Sequence, residues 1–300
     1  MPHGLIRYHA GMFKIAFSTV ACPDWSLRDV ARKAAGWEFD GVELRSFGEG
    51  STRFVCDPGL TDAAKVRRIF SGSGVEIAGV ATGVKFDDAI FPPVMGNILL
   101  SQREAGVPEG RHFVDIAQAI GARYVRTFGF DVPKFPPPQT RDGTLNRIAA
   151  RLAKVCDHAR YRDCFVMIEN GGSFATAEDL AEIIAKVNSP LLMACYDLFA
   201  AHTVGDDIEE GVKMLGPRLA MARLRDRKGD TPVPLGEGEL PCAEFVRALA
   251  AQNFGGWVTY EWEKAWLDEL AEPDEVLPGV AKTVYGWAND GRKSLASPAA

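Results

Sequence analysis

Val166-Met167-Ile168-Glu169-Asn170 is an apolar run that closes on a carboxylate, and Ala194-Cys195-Tyr196-Asp197 and Val258-Thr259-Tyr260-Glu261 repeat the arrangement. A short apolar run of this kind reads as a strand buried on both faces. Working outward, comparable runs occur at 14–19, 41–45, 76–81, 124–128, 165–169, 192–196, 219–224 and 257–261, with helical stretches between them. Eight successive βα units predict one domain over 1–300, a (β/α)8 barrel whose strands and helices occupy about 14–290. An open doubly wound sheet is the other product of such alternation. No G-x-G-x-x-G follows the first run, which argues against it.

The intervening segments carry helix signals. Ser26 with Asp29 and Thr176 with Asp179 have capping-box spacing, Pro241 suits the first turn of a helix over 242–252, and Gly36, Gly74, Gly121 and Gly255 fall near helix ends. Two connections are longer than the rest: 82–107 after the third strand and 129–142 after the fourth, the latter with Pro133, Pro136, Pro137 and Pro138. Both are predicted on the C-terminal face of the barrel, where active sites are built, as lids over the mouth.

Apolar residues make up 47% of the 300, enough for a sizeable core, so disorder is excluded as the main state. The net charge of −6, with no run of Lys and Arg, excludes an electrostatic footprint for nucleic acid. Cys22, Cys56, Cys156, Cys164, Cys195 and Cys242 show neither C-x-x-C nor zinc-type spacing with histidine, and are expected as buried thiols. Residues 1–14 lack an apolar signal region, and nothing approaches the ~18 apolar residues of a membrane span. The expectation is a cytoplasmic protein with a small-molecule partner and no membrane contact, with a homo-oligomer left open.

An acid at the end of a barrel strand points into the catalytic mouth. Glu169, Asp197 and Glu261 converging there need a cation or hydrogen bonds to stay charged. Capping of the following helix is the ordinary alternative for any one of them. Arg45, Lys85 and Arg126, near the ends of the second, third and fourth strands, are candidate substrate-binding cations, because guanidinium forks suit carboxylate or phosphate oxygens.

Over nearly its whole length the chain resembles the xylose-isomerase-like TIM barrels, and among them the sugar phosphate isomerase/epimerase group. The resemblance lies in Lys14-Ile15-Ala16-Phe17-Ser18-Thr19, Gly41-Val42-Glu43-Leu44-Arg45, Ile168-Glu169-Asn170, Leu235-Gly236-Glu237-Gly238-Glu239 and Tyr260-Glu261-Trp262-Glu263-Lys264. It implies a divalent metal (Mn, Mg or Zn) bound by Glu169, Asp197 and Glu261, with a His or Gln from the seventh strand as fourth ligand. It also implies Glu169 and Glu261 as the acid–base pair that moves a proton beside a carbonyl.

The seventh strand departs from that pattern. Where relatives have His-x-Lys-Asp, this chain has Arg223-Leu224-Arg225-Asp226, and Gly171 and Ala200 stand near the acids where many relatives have histidine. A guanidinium has no usable lone pair and does not lose its proton, so Arg223 is expected to weaken or replace the metal and to meet the acids or the substrate itself. His202, in the loop after the sixth strand, is a candidate compensating ligand. The activity expected is isomerisation or epimerisation of a ketose-like or polyol substrate. Dehydration of a keto-polyol comes second, and a metal-poor binding protein on the same barrel is the non-catalytic alternative. An apurinic endonuclease is discounted, since none of His3, His9, His112, His158 and His202 ends a predicted strand.

Overall fold

The strand ladder of the computed structural model, which describes residues 13–48, 54–90, 102–134 and 139–296, closes on itself. In chain order the strands are β1 (Lys14–Ser18), β2 (Gly41–Arg45), β3 (Glu76–Lys85), β4 (Tyr124–Phe128), β5 (Phe165–Glu169), β6 (Leu192–Asp197), β7 (Leu219–Leu224), the hairpin pair β8 (Asp226–Lys228) and β9 (Thr231–Val233), and β10 (Trp257–Tyr260). Eight of them pair in parallel around the ring β1-β10-β7-β6-β5-β4-β3-β2, and β8 pairs only with β9, antiparallel. The ring is therefore a (β/α)8 barrel.

Around it lie α1 (Leu27–Gly36), α2 (Ala63–Ser71), α3 (Val107–Ile120), α4 (Arg141–Ala159), α5 (Ala177–Val187), the short α6 (Leu198–Thr203), α7 (Ile208–Leu215), α8 (Cys242–Ala251), the single turn α9 (Pro273–Val276) and α10 (Val280–Ala296). The predicted caps form: the Ser26 hydroxyl accepts from the Asp29 N–H, and Thr176 and Asp179 make a reciprocal capping box. Each long helix turns an apolar stripe to the barrel. The stripe of α4, for example, includes Leu145, Ile148, Leu152 and Val155. No helix of the described residues is long and apolar enough to cross a membrane. All six cysteines are free and buried.

Strand limits differ from expectation where side chains extend or stop the ladder. The third strand, read as 76–81, runs on to Lys85, because the Thr82 hydroxyl donates to the Arg126 carbonyl at 2.7 Å and Lys85 rejoins β4 opposite Phe128 after an irregularity. β1 stops at Ser18, whose hydroxyl caps a 3-10 turn over Thr19–Ala21. Of the two expected lids, residues 91–101 and 135–138, including Pro136, Pro137 and Pro138, lie outside the described residues.

Inside the ring, Ala16, Ala78, Met167, Cys195, Ala220, Met221 and Trp257 form an apolar plug drawn from six strands. The alternation of a strand places the residue two positions further along on the same inner face. Above the plug those positions are Glu169, Asp197 and Arg223. The plug thus carries a charged layer on its upper side, at the C-terminal mouth.

Two glycines test the packing. A Cβ on Gly256, in the turn that feeds β10, would lie 2.3 Å from the Ala220 carbonyl oxygen, whereas a Cβ on Gly36, at the end of α1, would meet nothing within 4 Å. Gly256→Ala should cost about 2 kcal/mol or more through overpacking against backbone. Gly36→Ala should gain roughly 0.5 kcal/mol by removing glycine's unfolded-state freedom. Urea midpoints of the two variants, moving in opposite directions, check both.

Candidate functional site

Arg223 is fully buried, and its guanidinium reaches carboxylates from four other parts of the barrel. Nη1 lies 3.2 Å from Glu43 Oε2 on β2 and 3.5 Å from Glu169 Oε2 on β5, Nε lies 3.6 Å from Asp197 Oδ2 on β6, and Nη2 donates to Glu261 just beyond β10. Arg126 on β4 crosses beside it. Its Nε donates to Glu43 Oε1 at 2.9 Å and its Nη1 to Glu169 Oε2 at 2.7 Å. Two residues beyond Arg223 on the same face, Arg225 donates to Asp197 Oδ2 at 2.5 Å and to Glu263 Oε1 at 3.1 Å, and lies 3.5 Å from Glu261 Oε1. Arg227 on β8 completes the series through Glu263 Oε2.

The strand ends are tied so that these groups stay in place. Asn170, following β5, accepts from the Asp197 N–H at 2.6 Å and donates to the Asp197 carbonyl at 3.1 Å, joining the ends of β5 and β6. Asp197 both enters the layer and caps a helix: Oδ2 takes Arg225, while Oδ1 accepts the Ala200 N–H of α6 at 2.8 Å. Asp226 gathers the loop after β9, accepting from the N–H groups of Gly236 at 2.8 Å and Gly238 at 3.1 Å. That fold-back explains the Gly-Glu-Gly-Glu stretch, since a Cβ on Gly238 would lie 2.0 Å from Asp226 Oδ1.

Over this layer opens a cavity of about 510 Å³, whose floor includes Glu169, Asp197, Glu261, Arg126 and Arg225. Phe128, Phe130, Phe199 and Trp266 supply aromatic walls. Phe130 has φ +92°, a conformation that costs a bulky residue energy, and the Ser173 N–H holds its carbonyl at 3.0 Å. A cavity of about 660 Å³ at the opposite end of the barrel, beside Lys14, Glu76 and Trp257, contains none of the charged layer.

Of the residues singled out in the sequence, Glu169, Asp197, Glu261, Arg45 and Arg126 line the one mouth cavity. Arg223 lies beneath its floor, against the same carboxylates. Lys85 stands apart from the cavity lining, half-exposed on the extension of β3, 3.9 Å from Asp87 and 3.8 Å from Asp88. His202 sits on helix α6 rather than in a loop, exposed and outside the lining, where it cannot complete a ligand set. Glu43, Arg225 and Glu263 were not anticipated. Each lies two residues from a position that was, so the two-residue period of the strand faces was the signal available.

Burial alone would raise the carboxyl of Asp197, but the guanidiniums of Arg225 and Arg223 and the Ala200 N–H outweigh it and hold it below the usual range. Glu43 is likewise lowered, burial being overcome by Arg126 and Arg223. Arg126 and Arg225 are raised despite burial by the carboxylates around them. The donor set does not fit a divalent cation. A permanent positive charge without a lone pair stands among the oxygens that would bind it, and no group of three or more His, Cys, Asp or Glu arranged to hold a metal occurs among the described residues.

Two measurements follow from the layer. Glu43→Ala leaves Arg126 and Arg223 short of a buried partner and should cost about 3–5 kcal/mol in urea denaturation. Because the Glu43 and Asp197 carboxyls are depressed in the folded chain, their contribution is full above about pH 4.3 and is lost as pH falls through the lowered folded values. The urea midpoint should drop steeply with acidification below about pH 4, and less steeply in Glu43→Gln.

The family model described as xylose isomerase-like TIM barrel matches residues 31–281. No curated protein sequence matches the chain. Among solved structures, an L-ribulose 3-epimerase superposes with a TM-score of 0.75 at 17% identity, covering 96% of this chain and 99% of that one. The probable 3-DHS dehydratase AsbF of Bacillus anthracis, involved in petrobactin synthesis, gives 0.70 at 15% identity over 91% of this chain and 99% of its own. The IolI protein with a bound zinc atom gives 0.69 at 15% identity, covering 93% and 96%. At such identities the likeness is one of fold, and the reactions named for these structures differ between isomer formation and dehydration. With the family model spanning most of the sequence and the closed eight-stranded ring beneath the charged mouth, the chain belongs to the xylose isomerase-like TIM barrel family.

Proposed function

We propose that the mouth cavity binds a small polyhydroxylated carbonyl compound and moves a proton on the carbon beside the carbonyl, with Glu169 and Glu261 as the acid–base pair. The observation that carries this reading is that both carboxylates line one cavity while bracketing a single guanidinium, that of Arg223. One carboxylate takes the C–H proton, and the negative charge passes to the carbonyl oxygen. Arg126 and Arg225, fixed donors on the cavity floor, stabilise that charge as it develops. Return of the proton at the former carbonyl carbon, with the neighbouring hydroxyl proton passing to the enolate oxygen so that the new carbonyl forms there, gives an isomer, and return to the original carbon on the opposite face gives an epimer. Loss of a β-hydroxyl as water, with the proton going to the departing oxygen, gives the dehydration product instead.

In this reading Arg223 stands where a metal would have polarised the substrate, and the chemistry proceeds without an added divalent ion. Peptide-borne guanidiniums supply the positive charge. A second reading, a barrel that binds without turnover, is favoured by one observation: Glu169 and Glu261 are already engaged by the guanidiniums of Arg126 and Arg223.

The test is deuterium uptake from D2O into the C–H beside the carbonyl, followed by proton NMR for a set of ketoses and inososes in the presence of EDTA. Exchange is expected in at least one, slowed about 100-fold or more in Glu169→Gln and in Glu261→Gln. Product mass separates isomerisation from loss of water. Binding without exchange in every member would leave the non-catalytic barrel.

A companion substitution addresses the metal. Arg223→His removes the fixed charge and restores a neutral nitrogen, so affinity for manganese or zinc, measured by calorimetry, should rise at least about tenfold. Tight stoichiometric metal binding by the unaltered chain, with no gain in the variant, would restore the metal-dependent reading.

A further inference from the structure

Arg45 differs from the other guanidiniums of the mouth. Arg126, Arg223, Arg225 and Arg227 each lie within hydrogen-bond reach of a carboxylate. Arg45, at the end of β2, lines the cavity without a carboxylate partner among the described residues. One arm donates to the Thr82 carbonyl, and Nε is buried with no hydrogen-bond partner. Two rings hold the guanidinium in place: its carbon lies 5.8 Å from the ring centre of Phe47 and 5.7 Å from that of Trp266. The backbone is fixed as well, through the Arg45 N–H to the Thr19 hydroxyl at 2.8 Å.

A desolvated cation with an unused donor is unfavourable unless an anion reaches it. Burial and the nearby Arg126 charge pull the Arg45 guanidinium down to about 10, against the opposing pull of Glu43. Its surroundings therefore disfavour its charge. The other two cations of the lining, Arg126 and Arg225, are held in carboxylate pairs, which leaves Arg45 as the one cation of the described lining without a carboxylate partner.

We propose that the ligand of this cavity carries a carboxylate received by Arg45, so that the substrate class is a small hydroxylated acid rather than a neutral sugar. This rests on the reading of the cavity as a site for a polyhydroxylated carbonyl compound. The acid group sits at the rim between Phe47 and Trp266, and the hydroxylated chain extends over the floor toward Glu169 and Glu261. A phosphate dianion is less well matched, because one unpaired guanidinium neutralises only one charge.

The experiment is a calorimetric comparison of D-gluconate with D-glucitol, which differ at the carboxylate, and of acetate with acetamide as minimal probes. The unaltered protein should bind D-gluconate at least about tenfold more tightly than D-glucitol. Arg45→Gln should abolish that difference, and Arg45→Lys should retain part of it. A readout independent of substitution is the modification of Arg45 by phenylglyoxal, followed by peptide mass spectrometry, which D-gluconate should slow and D-glucitol should not. Equal affinities, a preference that survives Arg45→Gln, or no carboxylate bound at about 100 mM would overturn the proposal. Tighter binding of inorganic phosphate than of acetate would assign the site to phosphorylated ligands and overturn it too. Deuterium exchange in neutral ketoses with no preference for gluconate sinks this proposal alone, while the reverse pattern sinks the proton-transfer reading and leaves the acid-binding one.

Discussion

The contact on which the mouth depends is the Arg223 guanidinium held among Glu43, Glu169, Asp197 and Glu261. Four carboxylates brought this close in an apolar barrel repel one another and have lost their water. A planar cation with donors on three sides offsets that repulsion, and Arg126 and Arg225 extend the same solution to either side. The apolar plug beneath and the aromatic walls above lower the local dielectric, which strengthens each pair and raises the cost of breaking any one. Such a layer contributes less to net stability than to fixing one arrangement, since desolvation offsets much of the attraction.

The barrel itself was legible from the linear order of apolar runs. All eight runs became strands of the ring, because a strand buried on both faces leaves an uninterrupted apolar signature that neighbouring helices do not share. Two of the limits that moved trace to side chains. The Thr82 hydroxyl lengthened β3 and the Ser18 cap shortened β1, and neither effect is visible in hydropathy. The β8–β9 hairpin went unread because its strands are three residues each and one contains Pro232.

The site was legible at the strand ends and less so between them. Glu169, Asp197 and Glu261 each close an apolar run and so drew notice. Glu43 lies inside one, where a mid-strand acid reads as an interruption rather than as an inward-facing partner for two arginines. Arg225 and Glu263 follow Arg223 and Glu261 by two residues and turn the same way, a relation the residue-by-residue comparison with the family pattern did not reveal. Lys85 was read as lying beyond β3, whose end was placed four residues early. The longer strand carries that lysine past the rim to Asp87 and Asp88.

The IolI protein of the same fold was solved with a zinc atom bound, a cation that no polypeptide supplies. Here the positive charge at the centre of the mouth is part of the chain, made by the same synthesis that makes the carboxylates. Folding and assembly of the charged floor become one event, and the occupancy of that central position follows the folded population rather than the metal content of the surroundings.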